Sequence, residues 1–176
     1  MTVVEEYWLV WFFPICQRSL LRGHWPQLEW LFIDPATFAM PYALTFHKAL
    51  EIVDRDRYFN ACCVGGDLVL AQLLPVLREA YGEVQSDQED WGWFAWFEHS
   101  GIKLAVDVFA DDDMPQAFTV HLTARVPRFF LGAKVRDTGE LEQLQHCVCN
   151  ALASWPVVNL NAERVDDKYR PAKNTA

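Results

Sequence analysis

Basic residues are scarce in this chain. Fifteen Lys and Arg stand against 24 Asp and Glu, which gives a formal charge of −9. That balance leaves no basic footprint for neutralising a phosphate backbone, so it argues against nucleic acid as a partner. It is compatible with steering of a basic protein partner, or with a charge that only keeps the chain soluble. Long apolar runs are scarce near the N-terminus. The run Tyr7 to Ile15 falls far short of the ~20 residues that a membrane-spanning helix requires. Glu5 and Glu6 stand where a secretory signal carries positive charge. No membrane partner is expected, and a reducing, cytoplasmic setting is the default expectation.

The usual signatures of chemistry are missing too. Five cysteines make an odd number, with spacings unlike a disulfide framework. Cys62 and Cys63 are adjacent, and His146, Cys147 and Cys149 fall on an expected helix. Zinc sites favour two to four residues between paired cysteines, and helical positions two apart point about 200° away from each other. Buried apolar thiols are the expected role, with no metal. Asp111, Asp112 and Asp113 offer hard oxygens but lack the glycine and distal glutamate of a calcium loop, and read as a solvated turn. Gly65-Gly66-Asp67 precedes a helix, yet lacks the lysine and full glycine pattern of a phosphate loop. No serine elbow or metalloprotease histidine pair is present. No cofactor is expected, and nothing here marks the chain as an enzyme.

What is present is apolar material: 52% hydrophobic and 14% aromatic residues in a chain of 176, enough for one packed domain. Residues 1–39 differ from the rest. They hold Trp8, Trp11, Trp25 and Trp30, half of the eight tryptophans, in short bursts broken by Pro14, Gly23, Pro26 and Pro35. Three readings stay open for them: an aromatic extension packed on the domain, an exposed docking element, or an over-extended start ahead of Met40. Residues 40–168 read as one domain and 169–176 as a polar tail.

Within the domain, Tyr42, Leu44 and Phe46 alternate as in a strand, while Phe46 to Val53 fits a helical turn equally well. Tyr58 to Val64 reads as a short buried strand ended by Gly65-Gly66. A helix is expected from about Asp67, as N-cap, to Tyr81, with Leu70, Leu73, Leu74 and Leu77 as its buried stripe and Pro75 as a kink. A second is expected from Thr138 to Ser154, capped by Asp137 with Glu140 and buried through Leu141, Leu144, Val148 and Leu152.

Between the helices lies an antiparallel meander: Trp91 to Glu98, Ile102 to Phe109, Phe118 to Val126 and Phe129 to Val135. Ser100-Gly101 supplies the tight bend between the first two strands and sets Glu98 opposite Lys103. The expected fold is therefore α+β: a two-layer domain with a four- to five-stranded antiparallel meander sheet and both helices on one face.

That register sorts the side chains. Trp93, Ala95, Phe97, Leu104, Val106, Val108 and Val120 face the helices. Phe94, Trp96, Ala105, Asp107, Phe109, Thr119, His121, Thr123 and Arg125 face outward. A solvated face does not usually carry Phe94, Trp96 and Phe109. The leader, a partner protein, a second copy or a small ligand would cover them.

The expected function is a small non-catalytic interaction protein. It would bind a protein partner through Phe94, Trp96, Asp107, Phe109 and His121 with an acidic rim at Asp111, Asp112 and Asp113. Inhibitor and toxin-immunity proteins share this composition by analogy alone. One rival is an enzyme or small-ligand protein with a pocket beside Asp107 and His121, the weak candidates for acid–base work. Another is self-association through the same face. For the leader, intact-mass measurement on protein from its native source is decisive: a mass counted from Met1 removes the over-extended start.

Overall fold

The computed structural model describes residues 41–171 apart from 112, 129–131 and 167. The leader, the start of the expected fourth strand and Asp112 lie outside the described residues. The described chain is α+β, with seven strands in one antiparallel sheet and two helices. In chain order the elements are β1 (Tyr42–His47), α1 (Gly66–Tyr81), β2 (Gln85–Glu89), β3 (Gly92–His99), β4 (Ile102–Ala110), β5 (Ala117–Arg128), β6 (Gly132–Val135), α2 (Gly139–Ser154) and β7 (Val158–Arg164). The sheet order is β2-β3-β4-β5-β1-β7, and β6 pairs with the far end of β5.

Seven strands exceed the four to five expected from the meander. The three additional ones have identifiable reasons for being faint. β2 reads Gln-Ser-Asp-Gln-Glu and buries almost nothing, so it has no apolar period to detect. β7 does alternate, with Val158, Leu160 and Ala162 against Asn159, Asn161 and Glu163, but Ala and Asn are poor strand formers. β1 resolves the Tyr42–Phe46 ambiguity in favour of a strand, because β5 and β7 flank it on both sides.

The β3–β4 hairpin fixes the rest. Ser100 (φ 54°) and Gly101 (φ 75°) both take positive φ, the requirement of the two-residue turn whose twist matches the strands. Glu98 then pairs with Lys103 and Phe97 with Leu104. Ala95, Phe97, Leu104, Val106 and Val108 are buried with Phe118, Val120, Leu122 and Ala124 of β5. These residues form one cluster with Val69, Leu70, Leu73 and Leu77 of α1 and with Leu141, Leu144, Val148 and Leu152 of α2. α1 packs on β3 and β4, α2 on β5, and the helices touch each other.

Several local expectations change. Tyr58–Val64 is not a strand: it is turn and a 3-10 turn at Ala61–Cys63. Asp67 is not the N-cap of α1; Gly65 holds that position at φ 78° with no side-chain cap. Asp67 sits in the first turn instead, paired with Arg57 and accepting from the Tyr58 hydroxyl at 2.7 Å. α1 continues through Pro75, an exposed position whose missing N–H leaves the carbonyl of Ala71, also exposed, for water. The cap of α2 is Thr138, whose hydroxyl accepts from the Leu141 amide at 3.2 Å. Asp137 is engaged by Arg164 of β7, which also reaches Glu142 at 3.1 Å.

The helical stretch Ala61–Tyr81 is long and apolar enough, at mean hydropathy 1.5, to cross a membrane by length and composition. Here its apolar stripe Val69, Leu70, Leu73 and Leu77 is buried against the sheet.

The turn gives a clean test of the register. A Cβ at Gly101 meets nothing within 4 Å, so substitution there carries a dihedral cost alone. Gly101→Val should lower stability by about 1–2 kcal/mol. Ser100→Asn should raise it by a few tenths of a kcal/mol, since Asn tolerates the left-handed region. Thermal unfolding of the two variants checks both signs.

Candidate functional site

The face turned away from the helices is built by parity. Phe94 pairs with Asp107 across β3 and β4, and Asp107 pairs with His121 across β4 and β5. Trp96 is opposite Ala105, Phe109 opposite Thr119, and Ala105 opposite Thr123. The expected site residues Phe94, Trp96, Asp107, Phe109 and His121 therefore share one face. Asp111 and Asp113 lie in the β4–β5 turn, where the Asp111 carboxylate accepts from the amides of Asp113 and Met114 at 2.8 and 2.9 Å. That carboxylate is thus a turn former as well as part of a rim.

The aromatic rings form a continuous row. Trp96 stacks on Phe94 with centroids 5.0 Å apart, Phe94 meets Trp91 at 5.5 Å, and Trp91 meets Phe109 at 5.4 Å. Phe109 meets His121 at 4.9 Å, and His121 lies nearly parallel to Tyr169 at 4.0 Å. Six rings thus run in a row over β3, β4 and β5, and the four contacts from Trp96 to His121 lie in the ~4.5–7 Å range in which aromatic pairs are favourable, with His121 and Tyr169 closer still. Two members are not evident from strand patterning. Trp91 lies in the β2–β3 turn rather than in a strand, and it reaches the row beside Gly92, where a Cβ would sit 2.5 Å from the Val108 carbonyl oxygen. Tyr169 comes from the segment after β7, where Val165 bridges to Pro171 and the Asp166 carboxylate binds the Lys168 and Arg170 amides. A lone tyrosine in a polar tail carries no period that would announce it.

Parity also adds an acidic border that the meander alone does not contain. Asp87 pairs with Phe94 and Glu89 with Gly92, so both carboxylates flank the row along β2. With Asp111 and Asp113, acidic groups border the aromatic face at two places.

Beneath the rings the polar groups are unusual. Burial pushes the Asp107 carboxyl up from 3.8 to about 6, against the opposing pull of Arg125. Burial also holds His121 down to about 4. Burial, and then the Asp107 charge, raise the Tyr169 phenol. Thr123 is 1% exposed, and among the described residues its hydroxyl has no hydrogen-bond partner. Among the described residues no hydrogen bond joins Asp107 to His121, whose ring is held between Phe109 and Tyr169 instead. A cleft of about 400 Å³ is bounded by Tyr81, Gln85, Trp96 and Lys103, with neither Asp107 nor His121 in its wall. Among the described residues no cluster of three or more His, Cys, Asp or Glu could hold a metal ion.

Comparison with known proteins returns no match to a family model, a curated protein or a solved structure.

The two shifted groups make a pH prediction with opposite signs. Asp107 keeps its proton in the folded chain up to about pH 6. Its contribution is present below pH 3.8 and is lost as pH rises through 6. His121 stays neutral in the folded chain down to about pH 4, so its contribution is present above 6.5 and is lost as pH falls through 4. In the wild type these effects offset each other between the two values. Asp107→Asn should therefore make stability climb across that window, relative to wild type, by on the order of 1 kcal/mol after solvent screening. His121→Gln should make it decline by a similar amount. Urea titrations at pH 4, 5 and 6 read both slopes; parallel pH profiles for all three proteins would refute the assignment.

Proposed function

We propose that this chain is a non-catalytic interaction protein that binds a protein partner through the outward face of its sheet. The observation that carries the reading is the ring row. Trp91, Trp96 and Tyr169 remain 37–39% exposed at its surface while the rings beneath them are held in register by three strands. Rigid aromatic groups on a preordered scaffold supply contact area at small entropic cost, and they dominate the energetics of many interfaces. The carboxylates of Asp87, Glu89, Asp111 and Asp113 would orient a partner of opposite charge and speed its approach. The analogy to inhibitor and immunity proteins rests on composition alone.

A second reading draws support from the buried Thr123 hydroxyl and the two shifted groups next to it: a polar ligand held at Asp107, His121 and Thr123. The packing of His121 between a tilted Phe109 and a stacked Tyr169 favours the first reading, because it commits the imidazole to packing.

The test is Trp96→Ala. The side chain is exposed and outside the core cluster, so its loss should shift the melting temperature little. Affinity for a partner isolated with the wild-type chain should fall at least tenfold. Unchanged affinity would overturn the proposal. Concentration-dependent sedimentation abolished by the same substitution would assign the face to self-association.

A further inference from the structure

Among the described residues the strand at one end of the sheet is open. β2 pairs with β3 on one side, and among the described residues no strand pairs with the other. Four of its five residues are exposed, and its five pairs with β3 run without a bulge. The opposite end is different. β7 has a register shift against β1 between Thr45 and His47, and Asn159 takes φ 56°, both of which interrupt a flat edge.

The charge along β2 is of one sign. Between Arg78 and Lys103 the chain carries six acids, Glu79, Glu83, Asp87, Glu89, Asp90 and Glu98, and no Lys or Arg. Side chains of β2 alternate between two surroundings. Asp87 and Glu89 border the ring row, while Ser86 and Gln88, paired with Ala95 and Trp93, turn to the helix side. On that side lies a cleft of about 330 Å³ walled by Leu70, Leu74, Gln88 and Trp93, with Asp67 and Asp87 also on its rim. The Gln88 side-chain amide nitrogen is sealed from solvent and has no hydrogen-bond partner among the described residues.

We infer that β2 is the docking edge for an extended segment of a partner protein in which basic residues alternate with apolar ones. A strand added there gains main-chain hydrogen bonds, with a partner carbonyl replacing the Asp87 carboxylate to which the Gln88 backbone amide donates at 2.8 Å, and its side chains fall alternately on the two sides of the sheet. One set lies against Asp87 and Glu89 beside Phe94; the other enters the cleft between β2 and α1. A second copy of this chain is the poorer occupant, because pairing one β2 with another sets acidic side chains against each other. The inference rests on the reading that the outward face binds a partner, and it specifies how that partner is held.

The experiment uses the full chain and a labelled eight-residue peptide alternating lysine and valine, read by fluorescence anisotropy at low salt. Two further peptides accompany it: one with glutamate in place of lysine, and one with Pro-Pro at its centre and a terminal lysine added to restore the charge. The lysine peptide should bind at least tenfold more tightly than either, since proline removes the amide donors that edge pairing needs. In the double variant Asp87→Lys, Glu89→Lys, the order of the lysine and glutamate peptides should invert.

Equal binding of the proline peptide, or no binding of the lysine peptide, overturns the inference. The two readings separate through the natural partner. If Asp87→Lys, Glu89→Lys still holds it while Trp96→Ala releases it, the edge is wrong and the face stands. If proline abolishes peptide binding while Trp96→Ala spares the natural partner, the edge stands without the face.

Discussion

The bend at Ser100-Gly101 is the constraint on which the rest depends. Two consecutive residues in the left-handed region fix the pairing of β3 with β4, and through β4 that of β5. Strand side chains alternate with a period of two, so a slip of one position would exchange the two faces completely. Trp96 and Phe94 would then meet the helices, and Ala95 and Phe97 would meet water. The apolar stripes of α1 and α2 accept only one of these arrangements. Turn and core therefore specify the same register from opposite directions, a consistency expected of a sequence that selects one structure.

The outward face shows the cost of ordering aromatic groups away from the core. Rings laid over Asp107 and His121 desolvate both, one pushed toward its neutral form and the other held there. Thr123 lies in the same layer with an unpaired hydroxyl, a penalty of about 1–3 kcal/mol for a buried polar group. A face that served only to close the domain would be cheaper with apolar residues at these positions.

Legibility in the sequence followed the strength of the local period. β3, β4 and the inner half of β5 alternate cleanly, and their faces and cross-strand partners were readable down to Glu98 opposite Lys103. Both helices announce themselves through leucine stripes. β2 was not legible because an exposed edge strand buries no side chains and so leaves no pattern. The helix caps, Gly65 and Thr138, lie one or two residues from the positions that local sequence favours, for a related reason. Asp67 and Asp137 are good cap residues in isolation, but each is engaged by an arginine, Arg57 and Arg164, that lies elsewhere in the chain. Of the site, the expected ring residues and Asp107 share a face as the alternation implied. Trp91 and Tyr169 join them from a turn and a tail, where position in the fold rather than periodicity decides what a side chain touches.

β1 is the first described strand in the chain, yet it lies inside the sheet, between β5 and β7. Its apolar residues Tyr42, Leu44 and Phe46 find both neighbours only in segments made far downstream. During synthesis on the ribosome this strand would emerge early and wait, uncovered, for most of the domain to be translated. Such long-range closure slows folding and lengthens the exposure of this apolar segment before the sheet closes around it.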